Sequence, residues 1–356
     1  MFDMAEILYI KTADSSFIKL DEEILSRNFS VKSFLMNHNG KYNYFISLIK
    51  MKLFLLKNIR SAKIVFIRFC DYYAAIIAVF CKLFNKKFVI VVGGYDAVHI
   101  PKYKYGAYQN KFRGWLVKFA YNNADLILPN NPTLILNYND YDEEISRYEG
   151  VKHFASKTKA KFKVIYNGFK TEFWTNLQET EKDEKTVLTV AYINNLKTFF
   201  LKGIDKFIEM ADIFKDCKFV IVGMSLKFAE QNNISIPENV VLIEKTDQKG
   251  LLSYYGKSKV FCLLSLTEGM PNVLCEAMLC KCIPVGSMVN SIPEIIGDTG
   301  FVIDKKDNKL IEEALRKALL SPLSLGAKAQ LRIIENFSFE KREKELKETL
   351  STILKK

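Results

Sequence analysis

The 356-residue chain reads as an α/β protein built from two doubly wound, Rossmann-like domains. Three observations predict this. Short Val/Ile/Leu runs recur along the chain with helical segments between them, as parallel strands covered on both faces require. The pattern restarts near residue 185, after the polar stretch Gln178-Glu179-Thr180-Glu181-Lys182-Asp183-Glu184-Lys185. The length also exceeds what one hydrophobic core ordinarily fills, and two domains of roughly 150–200 residues are the natural division.

In chain order, the runs Glu6–Ile10, Lys63–Ile67, Phe88–Val92, Leu126–Leu128 and Val164–Tyr166 predict the first set of strands. Thr186–Val190, Phe219–Val222, Val240–Ile243, Val260–Leu264 and Ile283–Val285 predict the second. The longest apolar stretch, Tyr72 to Val92, is interrupted by Lys82, Asn85, Lys86 and Lys87. It falls short of the roughly 20 apolar residues that span a bilayer, and it divides into a buried helix (Tyr72 to Phe84) and a buried strand. The charged segment from Phe339 to Leu350 and just beyond has apolar Leu346, Leu350 and Ile353 at a helical spacing. The expected domains are 1–168 with a returning C-terminal helix in 337–356, and 169–336. Two tandem domains of this kind are expected to face a central cleft, and ligands of such sheets bind at the carboxyl ends of the strands.

Charge is uneven. The formal net charge is +12. Residues 1–165 hold 25 Lys/Arg against 14 Asp/Glu, whereas 166–356 hold 27 against 26. A basic first half attracts anionic lipid, nucleic acid or phosphorylated substrates. Lys50, Lys52, Lys57, Arg60, Lys63, Lys111, Arg113 and Lys118 are the candidates, with five more lysines between Lys152 and Lys163. The apolar and charged fractions, 49% and 26%, exclude a disordered or collagen-like chain. No basic-then-apolar leader follows Met1, so a cytoplasmic location is expected. The seven cysteines lie mostly in apolar runs and read as reduced, buried thiols. Cys275, Cys280 and Cys282 match no common zinc spacing, and no metal site is expected.

The most informative string is Ser265-Leu266-Thr267-Glu268-Gly269-Met270-Pro271-Asn272-Val273-Leu274-Cys275-Glu276. Glu268 and Gly269 form a turn after a buried strand. Pro271 stands where a first helical residue is favoured, and Asn272 to Cys280 reads as a helix. The N–H groups at such a start, Met270 to Val273, suit a diphosphate. Glu268 is placed to accept from sugar hydroxyls, and Glu276 to take both hydroxyls of a ribose. Either acid taken alone is no more than a favourable charge near a helix start.

The whole string E-G-M-P-N-V-L-C-E resembles the E-x7-E signature of glycosyltransferase family 4, retaining enzymes of the GT-B fold. Other segments resemble the family in the same order: Val164-Ile165-Tyr166-Asn167-Gly168, Lys202-Gly203, Ile292-Pro293-Glu294-Ile295-Ile296 and Gly300-Phe301-Val302. The likeness covers roughly residues 160–320 and is weaker before. It implies Glu268 and Lys202 as catalytic groups, a nucleotide-sugar donor held by Gly269, Met270, Pro271, Asn272, Val273, Glu276 and Asn167, front-face attack by an acceptor hydroxyl, and no tightly bound metal or other cofactor. Ser15, Ser16, Gly93, Gly94, Asp96 and His99 fall where family members build the acceptor side, Asp96 being the candidate catalytic acid there. The sequence departs at Ala191-Tyr192, where the family has Gly-Arg; Lys197 is the candidate substitute, with a point charge but no bidentate fork. Asn290-Ser291 stand where the family has two glycines. The string Asp140-Tyr141-Asp142 is read as solvated surface.

The expected activity is therefore sugar transfer in cell-envelope polysaccharide or glycolipid synthesis, with a lipid-linked or saccharide acceptor, at the inner face of a membrane if the basic half docks on anionic lipid. The alternatives are a sugar-nucleotide epimerase of the same fold and a basic nucleic-acid-binding α/β protein. The aromatics lie mostly in apolar runs rather than among lysines, and no RNA-binding signature is present, so no nucleic-acid partner is expected.

Overall fold

The computed structural model describes residues 6–176 and 181–355. Gln178–Thr180 of the polar stretch lie outside them. Fourteen strands are described: β1 (Glu6–Lys11), β2 (Ser30–Leu35), β3 (Ile64–Arg68), β4 (Lys87–Val92), β5 (Leu126–Pro129), β6 (Asn137–Asn139), β7 (Arg147–Glu149), β8 (Lys161–Phe162), β9 (Asp183–Val190), β10 (Lys218–Val222), β11 (Val240–Ile243), β12 (Ser258–Leu263), β13 (Ile283–Ser287) and β14 (Phe301–Ile303).

The chain divides into two compact units. One holds residues 1–138, 148–168 and 339–356; the other holds 139–147 and 169–338. The segment 139–147, grouped with the first domain on sequence, goes with the second. Its Tyr141 is buried, and its carbonyl accepts from the Lys306 N–H at 2.8 Å. Asp140 and Asp142 pair with Lys305 and Lys306 at 2.8 and 3.1 Å. The reading of Asp140-Tyr141-Asp142 as solvated surface is thus corrected for its last two residues, because both charge and ring are used to fasten the loop.

The first unit is a six-stranded parallel sheet in the order β2-β1-β3-β4-β5-β8. One face packs under three helices, Lys41–Asn58, Tyr72–Leu83 and Lys111–Asn122; Met51, Leu55, Ile77 and Val117 meet Leu8, Val65 and Ile90 there. The other face takes the helix Ser16–Asn28 and the C-terminal helix Phe339–Leu354, whose Phe339, Leu346 and Leu350 join Ile7, Ile64 and Val89. Each such leucine buried contributes roughly 2 kcal/mol. Two sequence expectations fail here. β2 is missing from the expected strands, because an edge strand is covered on one face only and S-V-K-S-F-L lacks a continuous apolar run. The expected strand Val164–Tyr166 is replaced by the short β8 just before it, and Ile165 instead enters the core.

The second unit is a parallel sheet in the order β11-β10-β9-β12-β13-β14. Counted within the unit, that is the 3-2-1-4-5-6 order of a Rossmann sheet. All seven cysteines are free and buried. Among the described residues no helix is long and apolar enough to cross a membrane.

Candidate functional site

Strand order in the second sheet reverses between β9 and β12, and the crevice at the carboxyl ends of those strands is where such sheets hold ligands. Both chain segments that leave this point carry expected site residues. Beyond β9 the chain turns through the short helix Leu196–Leu201 to Gly203, the cap of the helix Ile204–Ile213. Gly203 has φ +65°, and a Cβ there would lie 2.2 Å from the Leu264 carbonyl oxygen. Only glycine lets the chain lie this close to the end of β12. The Leu266 N–H donates to the Leu201 carbonyl at 2.9 Å across the same approach.

That approach sets Lys202 beside Glu268. Nζ donates to Oε1 at 2.6 Å, with the lysine half-buried and the glutamate more enclosed. Ser265 Oγ donates to the same oxygen at 2.7 Å. The Glu268 N–H donates to Asn290 Oδ1 at 2.8 Å, Ser291 Oγ to the Gly269 carbonyl at 2.7 Å, and Ser287 Oγ to the Ser265 carbonyl at 2.7 Å. Arg147 Nη2 donates to the Leu266 carbonyl at 3.0 Å. The Glu268 loop is therefore held from several sides before any ligand arrives. Sequence reading misses Ser265, Ser287 and Arg147, and it marks Asn290-Ser291 only as a departure. Asn290 adopts φ +47°, a left-handed conformation that asparagine tolerates better than most residues. The replacement for a glycine pair thus keeps the backbone turn and adds two hydrogen-bonding side chains.

The helix after the loop is Asn272–Leu279. Pro271 is its cap rather than its first residue, since its ψ of 107° is extended. Met270 is buried, while Gly269, Asn272 and Val273 are partly exposed at the helix start. Glu276 lies one turn in, half-buried, and accepts from the Tyr255 hydroxyl at 3.2 Å. Burial pushes its carboxyl up to about 7, against the pull of that hydrogen bond. Lys197 is exposed on the helix Leu196–Leu201 and joins none of these hydrogen bonds.

In the first unit, order reverses between β1 and β3. Ser15 and Ser16 follow β1 there. The Ser15 carbonyl accepts from the Ile18 and Lys19 N–H groups at 3.0 Å, and its enclosed hydroxyl has no hydrogen-bond partner. Gly93, Gly94, Asp96 and His99 follow β4. Asp96, expected as a catalytic acid, is wholly buried. Its carboxylate accepts from the Cys70, Gly93 and Gly94 N–H groups at 2.9, 3.3 and 3.2 Å and from the Tyr121 hydroxyl at 2.9 Å. Burial raises its pKa against those donors. Asp96 shapes the turn and does not present an oxygen to solvent. His99 is partly exposed, and burial depresses its pKa although a hydrogen bond with Gln109 opposes this.

Asn167, expected at the donor, lies in the first unit and is buried. Its Oδ1 accepts from Arg68 Nη2 at 2.6 Å. Arg68 in turn pairs with Asp21 at 2.5 Å, and Asp21 with Arg342 of the C-terminal helix at 2.7 Å. Arg342 also donates to the Ile165 and Tyr166 carbonyls at 3.1 and 2.5 Å. This buried network gives Asn167 a fastening role, and no sequence signal marks Asp21, Arg68 or Arg342.

Fold and site together define a class: a GT-B type α/β chain with two Rossmann-like domains, the second carrying an acid–lysine pair at its switch point. Residues 172–337, just under half of the chain, match the family model described as glycosyl transferases group 1, and the chain is a glycosyltransferase. A Campylobacter jejuni protein named N-acetylgalactosamine-N,N'-diacetylbacillosaminyl-diphospho-undecaprenol 4-alpha-N-acetylgalactosaminyltransferase is 26% identical over 273 residues, covering 71% of this chain and 69% of that one. Among solved structures, sucrose-phosphate synthase from Thermosynechococcus elongatus superposes with a TM-score of 0.72 at 16% identity, over 98% of this chain and 99% of that one. The Anabaena protein Alr3699/HepE, in complex with UDP and glucose, does so with a TM-score of 0.65 at 13% identity, over 98% and 100%. At such identities the two structures speak to the fold.

Proposed function

We propose that this glycosyltransferase moves a sugar from a nucleotide-sugar to an acceptor hydroxyl with retention of configuration and without a metal, in polysaccharide or glycolipid synthesis at the inner face of a membrane. The observation that carries the donor half of this reading is the Lys202–Glu268 pair at the β9/β12 switch point. As the sugar–diphosphate bond breaks, negative charge grows on the leaving group. Lys202 and the helix start at Met270–Val273 offset it, while Glu268 accepts from sugar hydroxyls. In this reading Lys197 adds a further cation for the diphosphate once a donor is bound. The likeness to a C. jejuni enzyme named for a diphospho-undecaprenol acceptor supports a lipid-linked acceptor. The test is calorimetric titration with UDP-, GDP- and ADP-sugars, followed by the anomeric configuration of the product by NMR with and without chelator. Absence of binding to every nucleotide-sugar would reject the reading; an inverted product would reject retention.

Glu276 adds a pH dependence. A ribose diol donates both hydrogens, so the carboxylate is the binding form, and below about 7 the acid must first lose its proton. Affinity for UDP-glucose, whose diphosphate diester does not titrate in this range, should be about tenfold weaker at pH 6 than at pH 8. Glu276→Gln should bind more weakly and lose this slope. Equal slopes in both proteins would remove Glu276 from the donor site.

A further inference from the structure

We propose that the outer side of the three-helix layer of the first unit is a lipid-docking face that inserts apolar side chains shallowly into an anionic bilayer. The proposal deepens the reading of the first unit as the acceptor side, yet its test needs no donor and no transfer.

The helix Lys41–Asn58 is apolar on both of its faces. One face, with Met51 and Leu55, is buried against the sheet. The other carries Tyr42, Phe45, Ile49, Leu53 and Leu56 at steps of three and four residues, and they stay exposed: Tyr42 by 76%, Phe45 by 62% and Leu53 by 59%. A second apolar stripe without a core to fill is the pattern of a helix that lies in a membrane interface. The helix Lys111–Asn122 on the same sheet face adds Phe112 and Trp115, exposed by 63% and 60%. Their rings stack at 6.2 Å, and Phe112 meets Tyr72 of the middle helix at 6.3 Å. Exposed Leu83 ends that middle helix. Scattered exposed apolar residues are ordinary, but a stripe on one helix beside a row of rings that crosses all three helices, Tyr44 to Tyr72 to Phe112 to Trp115, marks an interaction surface.

Charge selects the occupant. The three helical spans Lys41–Asn58, Tyr72–Leu83 and Lys111–Asn122 contain Lys41, Lys50, Lys52, Lys57, Lys82, Lys111, Arg113 and Lys118 and no acid. All the lysines are exposed, whereas Arg113 is half-buried and committed to Asp71 and the Tyr95 hydroxyl. Long lysine stems can cover the apolar rows while their ammonium groups reach lipid phosphates. Pairing with a second copy through this face would bring like charges together, which disfavours self-association.

The full chain should sediment with phosphatidylglycerol/phosphatidylcholine vesicles at low salt and weakly with phosphatidylcholine alone. Trp115 supplies the depth readout, because the other tryptophan, Trp174, is buried. Its emission should shift to the blue on binding and be quenched by brominated acyl chains, and Trp115→Phe should abolish the shift. Phe45→Ser with Leu53→Ser alters exposed positions, so thermal melting should hold while partition weakens at least about tenfold. Three results would overturn the proposal: no vesicle binding at low salt; binding without a Trp115 shift and indifferent to the serine pair, which is adhesion by charge alone; or concentration-dependent dimers that the serine pair dissolves without any vesicle binding.

Discussion

Lys202→Met and Glu268→Gln should each lower the transfer rate by roughly 10²–10³, the usual cost of losing one preorganised charged group at a transition state. The expectation follows from how firmly the pair is set. Gly203 cannot move away from the Leu264 carbonyl without opening the backbone approach, and Ser265, Asn290 and Ser291 hold the Glu268 loop in place. The two losses should be far from additive in the double variant, since each side chain also positions the other. Lys202→Arg should recover part of the rate with a weakened KM, because guanidinium keeps the charge but not the point geometry. Melting should hardly change, as the pair is partly exposed and contributes little to stability. Full activity in both single variants would dismiss the site. Lost activity with an unfolded protein would reassign the pair to structure.

The second large effect concerns folding. Asp21→Asn should destabilise the protein by about 3–5 kcal/mol, because two buried guanidiniums would lose their shared anion. Burial alone would raise the Asp21 carboxyl, yet Arg342 and Arg68 hold it below the ordinary range. A carboxylate lowered in this way stabilises the fold above its unfolded-state pKa, and that contribution fades as pH falls through the folded value. The wild-type protein should therefore lose stability in acid more steeply than Asp21→Asn. In the variant, limited proteolysis should release the helix Phe339–Leu354 first, since Arg342 is its charged anchor. Replacing Asp21, Arg68 and Arg342 together by leucine or methionine should regain much of the loss, as apolar substitutes for a complete ion cluster often do. An Asp21→Asn protein as stable as wild type at neutral pH would show the network to be energetically idle.

Much of the second unit was legible in the sequence. Its strands are continuous apolar runs because both sheet faces are covered, and Thr186–Val190, Phe219–Val222 and Val240–Ile243 all fall within described strands. The Glu268 loop was legible because a turn, a proline and a helix start follow a buried strand in fixed order. The first unit was less so. The edge strand β2 shows only one covered face. The Asp96 carboxylate looks like a loop acid until Cys70, 26 positions away, and Tyr121 close over it. Asn167 sits in a segment that resembles a donor motif, but Arg68, 99 positions away, takes its side chain.

What the sequence determined by itself was local: where apolar runs must be covered, where a helix begins, and that two acids and a lysine flank one junction. What only the tertiary structure decided was long-range pairing. Lys202 meets Glu268 across 66 positions, Asn290 braces the loop across 22, and Arg342 reaches Asp21 across 321. A buried charge must find a partner, but periodicity carries no record of which distant charge the fold brings to it.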